Sequence, residues 1–178
     1  MPISLASTDP GRSRFPARAR ARLLAYAARV LAREGVTRPR VTLVLGDDAL
    51  LRSLYVRYKQ RDRATDVLSF TYEDARGPRS RTLEGEIYVS RERLFAQARR
   101  YRHEPGDELL RLLTHGLLHL CGHDHMKPGE RRIMRAAERV AMREDFAPGD
   151  RGAFALVAGA VRPGTSGPGT SGPGTSGS

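Results

Sequence analysis

The segment from residue 105 to residue 120 constrains the fold more than any other. Its leucines cover nearly every side of a helical projection: Leu109, Leu110, Leu112, Leu113, Leu117, Leu118 and Leu120. A helix that is apolar all round has to be buried. Pro105 suits the first turn of such a helix, because its missing N–H is not needed there. We therefore expect a central helix with the rest of the chain packed around it.

Four of the five histidines follow within or just after this helix, between residues 115 and 125. His115 and His119 are four residues apart, so they share one face of the helix. Gly122 favours a helix end, after which the chain can turn back and bring His125 towards the same point. Three imidazoles with an open fourth position are typical of a catalytic zinc site. The pattern predicts one zinc ion bound by His115, His119 and His125, although other divalent ions also accept three histidines.

The histidine and glycine spacing is that of the metzincin peptidases, but one essential residue differs. Those enzymes have a glutamate after the first histidine as general base, whereas this chain has Gly116. Three roles stay open for His123: a group behind the metal ligands, a substrate contact or a surface residue. Cys121 is predicted to be a small buried residue, and His103 an ordinary surface residue.

The charge balance favours an anionic partner. The 178 residues carry 31 Lys+Arg against 20 Asp+Glu, a net charge of +11. RNA, DNA or an acidic membrane surface would suit this charge, although a GC-rich genome produces the same arginine bias. The single cysteine excludes an intramolecular disulfide, and no signal peptide or apolar run of about 20 residues occurs. These features predict a cytoplasmic protein that does not enter a membrane.

Periodicity and turn residues predict one domain with alternating helices and strands. The expected parts are a flexible leader at 1–15, a folded domain at 16–147 and a disordered Pro/Gly/Thr/Ser-rich tail at 148–178. Helices are expected from Pro16 to Gly35, from Asp47 or Asp48 to Lys59, after Ser90, and over 128–143. Strands are expected at 41–45, 66–72 and 84–89, with a loop over 73–82.

A basic segment lies between the second helix and the next strand. Residues 57–63 contain four cations, among them Arg57 and Arg61. Hydrolysis of a phosphodiester would need such groups to hold the phosphate. A solvated charged loop is the alternative interpretation of the same residues.

Three motifs in order resemble the YbeY family of bacterial rRNA-maturation endoribonucleases. They are HGLLHLCGHDH at 115–125, TDVLSF at 65–70 preceded by Asp62, and Gly85-Glu86-Ile87, where the family usually has Gly-Asp-Ile. The resemblance covers about residues 20–145. It implies an α/β (α+β) domain with a small, mostly four-stranded sheet surrounded by helices, and zinc on His115, His119 and His125. It also implies single-strand-specific RNA cleavage, 16S rRNA 3′-end maturation and ribosome quality control. The implied partners are the small ribosomal subunit, a ribosome assembly GTPase and a small-subunit ribosomal protein.

The chain departs from the family pattern at the residue thought to serve RNA hydrolysis. The family usually has an arginine where this chain has Lys59. Lysine keeps the charge but lacks the planar fork that binds a phosphate through two hydrogen bonds. Arg57 or Arg61 are candidates to take over this role. Two other hypotheses remain at this point: a non-catalytic ribosome assembly factor with a structural zinc, and a metalloprotease.

Overall fold

A computed structural model describes residues 3–8, 15–60, 62, 65–72, 82–124, 127–147 and 149–160. Within these ranges the chain forms four strands and six helices. The strands are β1 (Ile3–Ser7), β2 (Arg38–Gly46), β3 (Val67–Thr71) and β4 (Thr82–Ser90). The helices are α1 (Ala17–Arg33), α2 (Asp48–Lys59), α3 (Arg91–Tyr101), α4 (Pro105–Leu120), α5 (Pro128–Glu144) and α6 (Asp150–Ala160). The expected α+β domain with a four-stranded sheet is confirmed.

The strands form one mixed sheet in the order β1-β2-β4-β3. The pairs β1–β2 and β2–β4 are parallel, whereas β3 runs antiparallel to β4 at the sheet edge. Ser69 lies opposite Ile87 in the β3–β4 register, and both approach Gly116 of α4. Side chains alternate between the two faces of a strand, so the face that carries Ser69 and Ile87 packs against α4.

Helix α4 occupies the centre of the fold, as its leucines predict. All seven of these leucines are buried, and they pack in one core with side chains of α1 and the sheet. The polar Thr114 within this core is satisfied by its neighbours: its hydroxyl donates to the Leu110 carbonyl at 2.7 Å and lies 2.6 Å from the Tyr26 hydroxyl. Buried hydroxyl groups require such partners.

Local capping signals were predicted correctly at two helix starts. The Asp47 carboxylate accepts from the backbone N–H of Leu50 at 2.8 Å, and the Ser90 hydroxyl accepts from that of Arg93 at 3.2 Å. These contacts satisfy N–H groups that have no partner inside the helix. Residues 73–81 of the predicted loop lie outside the described residues.

The predicted leader and tail are wrong for two segments. Ile3–Ser7 form β1, whose Ile3 and Leu5 are buried beside β2. Asp150–Ala160 form α6, whose Phe154 and Val157 are buried between α1 and α4. Both segments are short and apolar on one side only, so their structure depends on the partners that they meet after folding. Residues 161–178 of the predicted tail lie outside the described residues.

Burial of α6 brings a carboxylate into the core together with its partners. Asp150 is 1% exposed, accepts from the backbone N–H of Ala147 at 2.9 Å and forms an ion pair with Arg29. A buried charge of this kind is tolerated only when it is paired and hydrogen-bonded. Among the described residues, no helix is both long and apolar enough to cross a membrane.

Candidate metal centre

The last turns of α4 place two of the predicted ligands side by side. The ring centroids of His115 and His119 are 4.7 Å apart, and their planes meet at 76°. This proximity follows from the spacing of four residues on one helix. The two imidazoles therefore present one face, as the sequence predicts.

The helix ends in a Schellman motif directly after the second histidine. Gly122 has a φ of +95°, its N–H donates to the His119 carbonyl at 3.0 Å, and the N–H of His123 donates to the Leu118 carbonyl at 3.0 Å. A left-handed residue after the helix is most easily supplied by glycine. The reversal predicted at Gly122 is thus present. His125 lies outside the described residues, so its part in a metal site stays a prediction.

A carboxylate of α5, Glu138, holds the ring of His115. The His115 Nδ1 atom lies 2.7 Å from Glu138 Oε1, with both side chains about one-fifth exposed, at 22% and 20%. Burial alone would raise the pKa of Glu138, but the His115 hydrogen bond and nearby Arg111 and Arg135 hold it below its usual value. The carboxylate is therefore ionised at neutral pH and accepts a hydrogen bond from Nδ1–H. Such a bond directs Nε2 towards a metal.

A second carboxylate–imidazole contact ties the turn after α4 to α1. His123 Nε2 lies 2.8 Å from Glu34 Oε2. This contact ties the turn to α1, and the three roles left open for His123 stay predictions. Cys121 in the same turn is half-buried, and burial, with the charge of Glu34, raises the pKa of its thiol to about 12. The thiol is therefore protonated and poorly reactive at neutral pH.

Gly116 faces the sheet and leaves no room for a side chain. A Cβ atom there would lie 2.7 Å from Ile87 Cγ2 and 3.2 Å from Ser69 Oγ. The Ser69 hydroxyl, part of the TDVLSF motif, donates to the Gly116 carbonyl at 3.3 Å. Position 116 therefore serves close packing between the histidine helix and the sheet, and not proton transfer.

Arg111 is a residue that the sequence analysis missed. It lies one turn before His115 on the same side of α4, and its NH2 group is 2.5 Å from Glu108 Oε1 and 2.8 Å from Gln97 Oε1. Asp66 of the TDVLSF motif accepts from Gln97 at 2.9 Å and lies 3.6 Å from Arg111. The spacing 111, 115, 119 is visible in the sequence, but the partners of Arg111 come from other elements.

The carboxylate at the centre of this network, Glu108, is fully buried. It also lies 2.7 Å from Nε2 of His103, whose side chain is 31% exposed. His103 is thus a partner of a buried charge, and the prediction of an ordinary surface residue is wrong. The network joins α3, α4 and the start of β3, so it holds the TDVLSF motif against the histidine helix.

The predicted phosphate-binding cations are only partly within the described residues. The Arg57 side chain is exposed, with its guanidinium carbon 5.6 Å from the centre of the Tyr58 ring. Lys59 ends α2, but its side chain and the whole of Arg61 lie outside the described residues. Asp62 forms two hydrogen bonds with Arg52, at 2.5 and 2.6 Å.

The described residues contain two of the three predicted ligands. Among them, no group of three histidine, cysteine, aspartate or glutamate side chains is arranged to hold a metal ion. Two adjacent imidazoles, one of them oriented by a carboxylate, nevertheless suit the chemistry of a zinc site. They would fit a metal once a third donor is added.

Comparisons with known proteins show the family to which the chain belongs. A protein of Anaeromyxobacter sp. (strain Fw109-5), named endoribonuclease YbeY, is 36% identical over 164 residues, covering 92% of this chain and 78% of the relative. One of the same name from Anaeromyxobacter dehalogenans (strain 2CP-C) is 34% identical, covering 92% and 77%. The solution structure of a Thermotoga maritima protein matches with a TM-score of 0.54 at 24% identity, covering 80% of this chain and 88% of that one, and supports the fold. The family model described as endoribonuclease YbeY matches residues 14–144, and this chain belongs to that family.

Proposed function

We propose that this protein is a zinc-dependent endoribonuclease that cleaves single-stranded rRNA during 16S rRNA 3′-end maturation and ribosome quality control. The observation that carries the proposal is the His115–His119 pair at the Schellman turn, with Glu138 bound to His115. The relatives' name, endoribonuclease, supports the same class of reaction. The net charge of +11 supports an RNA substrate.

His115, His119 and His125 are the proposed ligands of one zinc ion. Bound zinc lowers the pKa of a coordinated water and polarises an oxygen of the substrate. Glu138 would keep the His115 ring in the tautomer whose Nε2 is free to bind the ion. The Schellman turn ends α4 directly after His119, which supports the proposal that His125, further along the chain, is the third ligand.

Lys59 is the proposed group that holds the scissile phosphate, with Arg57 and Arg61 beside it. All three come from the end of α2 or directly after it, just before the TDVLSF motif. Arg111 is nearer to His115 along α4, but its guanidinium already binds Glu108 and Gln97. A lysine supplies charge without the two-pronged geometry of arginine, so we expect Lys59→Arg to preserve cleavage and Lys59→Ala to abolish most of it.

The proposed partners are the small ribosomal subunit, a ribosome assembly GTPase and a small-subunit ribosomal protein, met in the cytoplasm. The family resemblance and the net charge of +11 support this proposal. Co-sedimentation with ribosomal subunits at several salt concentrations would test the first of them, because binding to phosphates weakens as salt rises.

Cleavage of single-stranded rRNA fragments tests the activity directly. We expect purified protein loaded with zinc to cut the fragments, and a chelator or His115→Ala to stop the reaction. Glu34→Gln is the matched control, since Glu34 contacts His123 and not a proposed ligand. Cleavage that continues with chelator, or none with any of several divalent metals, would contradict the proposal.

A second candidate is an assembly factor in which zinc is structural and no RNA is cut. It is favoured by Lys59 in place of the family arginine and by the engagement of Arg111 in its own network. In that case removal of zinc would lower the melting temperature, while zinc-replete protein would bind ribosomes without cleaving RNA. Peptidase activity is a remote alternative, because position 116 packs on Ile87 and carries no base. Chelator-sensitive turnover of casein would support it.

A further inference from the structure

Four aromatic side chains form a cluster on the face of the sheet opposite α4: Tyr58, Phe70, Tyr72 and Tyr88. The ring centroids are 4.8 Å apart between Tyr58 and Phe70, and 6.0 Å apart between Phe70 and Tyr88. Ser69 and Ile87 point to α4, so their neighbours Phe70 and Tyr88 point away from it. We call this cluster the aromatic platform.

The aromatic platform is held by hydrogen bonds yet open to solvent. The hydroxyl groups of Tyr72 and Tyr88 both donate to Glu86 Oε2, at 2.8 and 2.9 Å. This shared carboxylate fixes both phenol rings. Tyr58 is nevertheless 56% exposed and Tyr72 47% exposed. Several large rings exposed together, rather than one alone, are typical of a binding surface.

A cation accompanies the exposed ring of Tyr58. The guanidinium carbon of Arg57 lies 5.6 Å from the ring centre. Aromatic faces that stack on bases, together with cations that meet the phosphates, are the usual means by which proteins bind single-stranded nucleic acid. Two carboxylates lie near the cluster. Glu86 Oε2 accepts from the two phenols, and Glu84, whose charge acts on Tyr72, forms an ion pair with Arg40 at 3.4 Å.

We propose that the aromatic platform stacks unpaired bases of single-stranded RNA while Arg57 contacts an adjacent phosphate. The inference rests on the proposed function and deepens it, because only unpaired bases offer their faces for stacking. Strand β3 joins the two sites: Phe70 belongs to the platform, and the adjacent Ser69 contacts the histidine helix. Among the described residues β3 is the edge strand, so the proposed RNA would cross this edge between the platform and His115.

The chain contains a matched control for Tyr58. Tyr101 is 58% exposed, and the guanidinium carbon of Arg100 lies 5.5 Å from its ring centre. Its aromatic neighbour is His103, at 6.1 Å between ring centroids. Tyr101 thus reproduces the exposure and the stacked arginine of Tyr58, but it stands outside the aromatic platform.

Binding of fluorescein-labelled strands, measured by anisotropy, tests the proposal. The probes are a 2′-O-methyl oligonucleotide of about ten residues and an abasic strand of equal length, and a gel run after each measurement checks that both are intact. We expect Tyr58→Ala to raise Kd for the base-containing strand by about 5- to 150-fold. Tyr58→Phe and Tyr101→Ala should bind as the wild type does. On the abasic strand, the wild type and Tyr58→Ala should be equal.

Arg57→Gln separates the charge from the stacking. We expect it to reduce the slope of log Kd against log salt by about 0.7, the value for one phosphate contact on a single strand. Tyr58→Ala should leave that slope unchanged. If Tyr58→Ala fails to fold, as judged by circular dichroism, Tyr72→Ala is measured in its place with the same expectations.

The proposal would be overturned by no binding of the base-containing strand by wild type, by equal losses for Tyr58→Ala and Tyr101→Ala, or by an equal loss on the abasic strand. An unchanged Kd for Tyr58→Ala would also overturn it and would leave the surface to a protein partner. Cleavage of unmodified RNA is measured in parallel. If Tyr58→Ala binds and cleaves RNA as the wild type does, the aromatic platform is refuted and the nuclease function stands. If Tyr58→Ala loses binding but the wild type cleaves no RNA, the nuclease function is refuted and the platform stands.

Discussion

The Glu138–His115 contact leads us to a quantitative prediction of how Glu138→Gln changes zinc affinity. Glu138→Gln keeps the shape of the side chain but removes the charge that fixes the proton on His115 Nδ1. The contact is 2.7 Å long and four-fifths buried on both sides, so water cannot readily replace it. Loss of a carboxylate that orients a metal-binding histidine typically weakens metal binding by about 10- to 100-fold. We therefore expect zinc affinity to fall by this factor, about 1.4–2.8 kcal/mol.

Glu34→Gln is the matched control, because Glu34 bonds His123 at 2.8 Å with similar burial, 22% exposed. Both substitutions remove one charged hydrogen bond from the fold, so both should lower the stability of metal-free protein to a similar degree. Only Glu138→Gln should change zinc affinity.

Competition of each protein with a chromogenic zinc chelator measures this affinity without any RNA. Thermal melts of the metal-free proteins measure the loss of stability separately. Equal zinc affinities for the two variants would refute the argument that Glu138 orients a metal ligand. A larger loss of zinc affinity for Glu34→Gln would indicate that the metal binds nearer to His123.

Other predictions concern the packing and the ionisation of the fold. Gly116→Ala should lower the free energy of unfolding by about 1–3 kcal/mol through its clash with Ile87, while Gly129→Ala, with open space around it, should have little effect in denaturant titrations. Because α6 is part of the core, Phe154→Ala should lower the free energy of unfolding by about 3–5 kcal/mol, whereas Leu156→Ala, at a 56% exposed side chain, should have little effect. Equal, small effects of the two substitutions in urea melts would show that α6 does not pack on the core. Burial raises the pKa of Tyr26, Tyr72 and Tyr88 to about 12, so their contribution to stability is complete below pH 10 and is lost as the pH rises towards 12. Absorbance at 295 nm should show Tyr26, Tyr72 and Tyr88 ionising late, and Tyr26→Phe should remove part of this late change. The absence of any late change in folded protein would contradict this assignment.

Much of the fold was predictable because its signals are local. The leucines of α4 required burial, Asp47 and Ser90 marked helix starts, and Gly122 marked a helix end. The expected number of strands came from the family resemblance, since only three of them were visible in the residue pattern. β1 was missed because two apolar residues, Ile3 and Leu5, form too short a pattern until β2 lies beside them.

In the candidate site, too, local contacts were predictable from the sequence and contacts between distant residues were not. His115 and His119 lie on one helix, so their spacing along the chain determined that they meet. Glu138 and Glu34 come from other helices, and no spacing predicts that they bond His115 and His123. Position 116 depends on both the sequence and the tertiary structure. The sequence indicated that the general base is missing, but only the structure shows that Ile87 leaves no room for a side chain there.

The sequence by itself thus determined the central helix, its two neighbouring histidines and the turn that follows them. These features depend on contacts within about four residues, which the chain order specifies directly. Only the tertiary structure decided which carboxylates hold the imidazoles, how α6 completes the core and where the aromatic platform forms. Those contacts join residues that are distant along the chain, and they arise from the burial of apolar surface that brings the elements together.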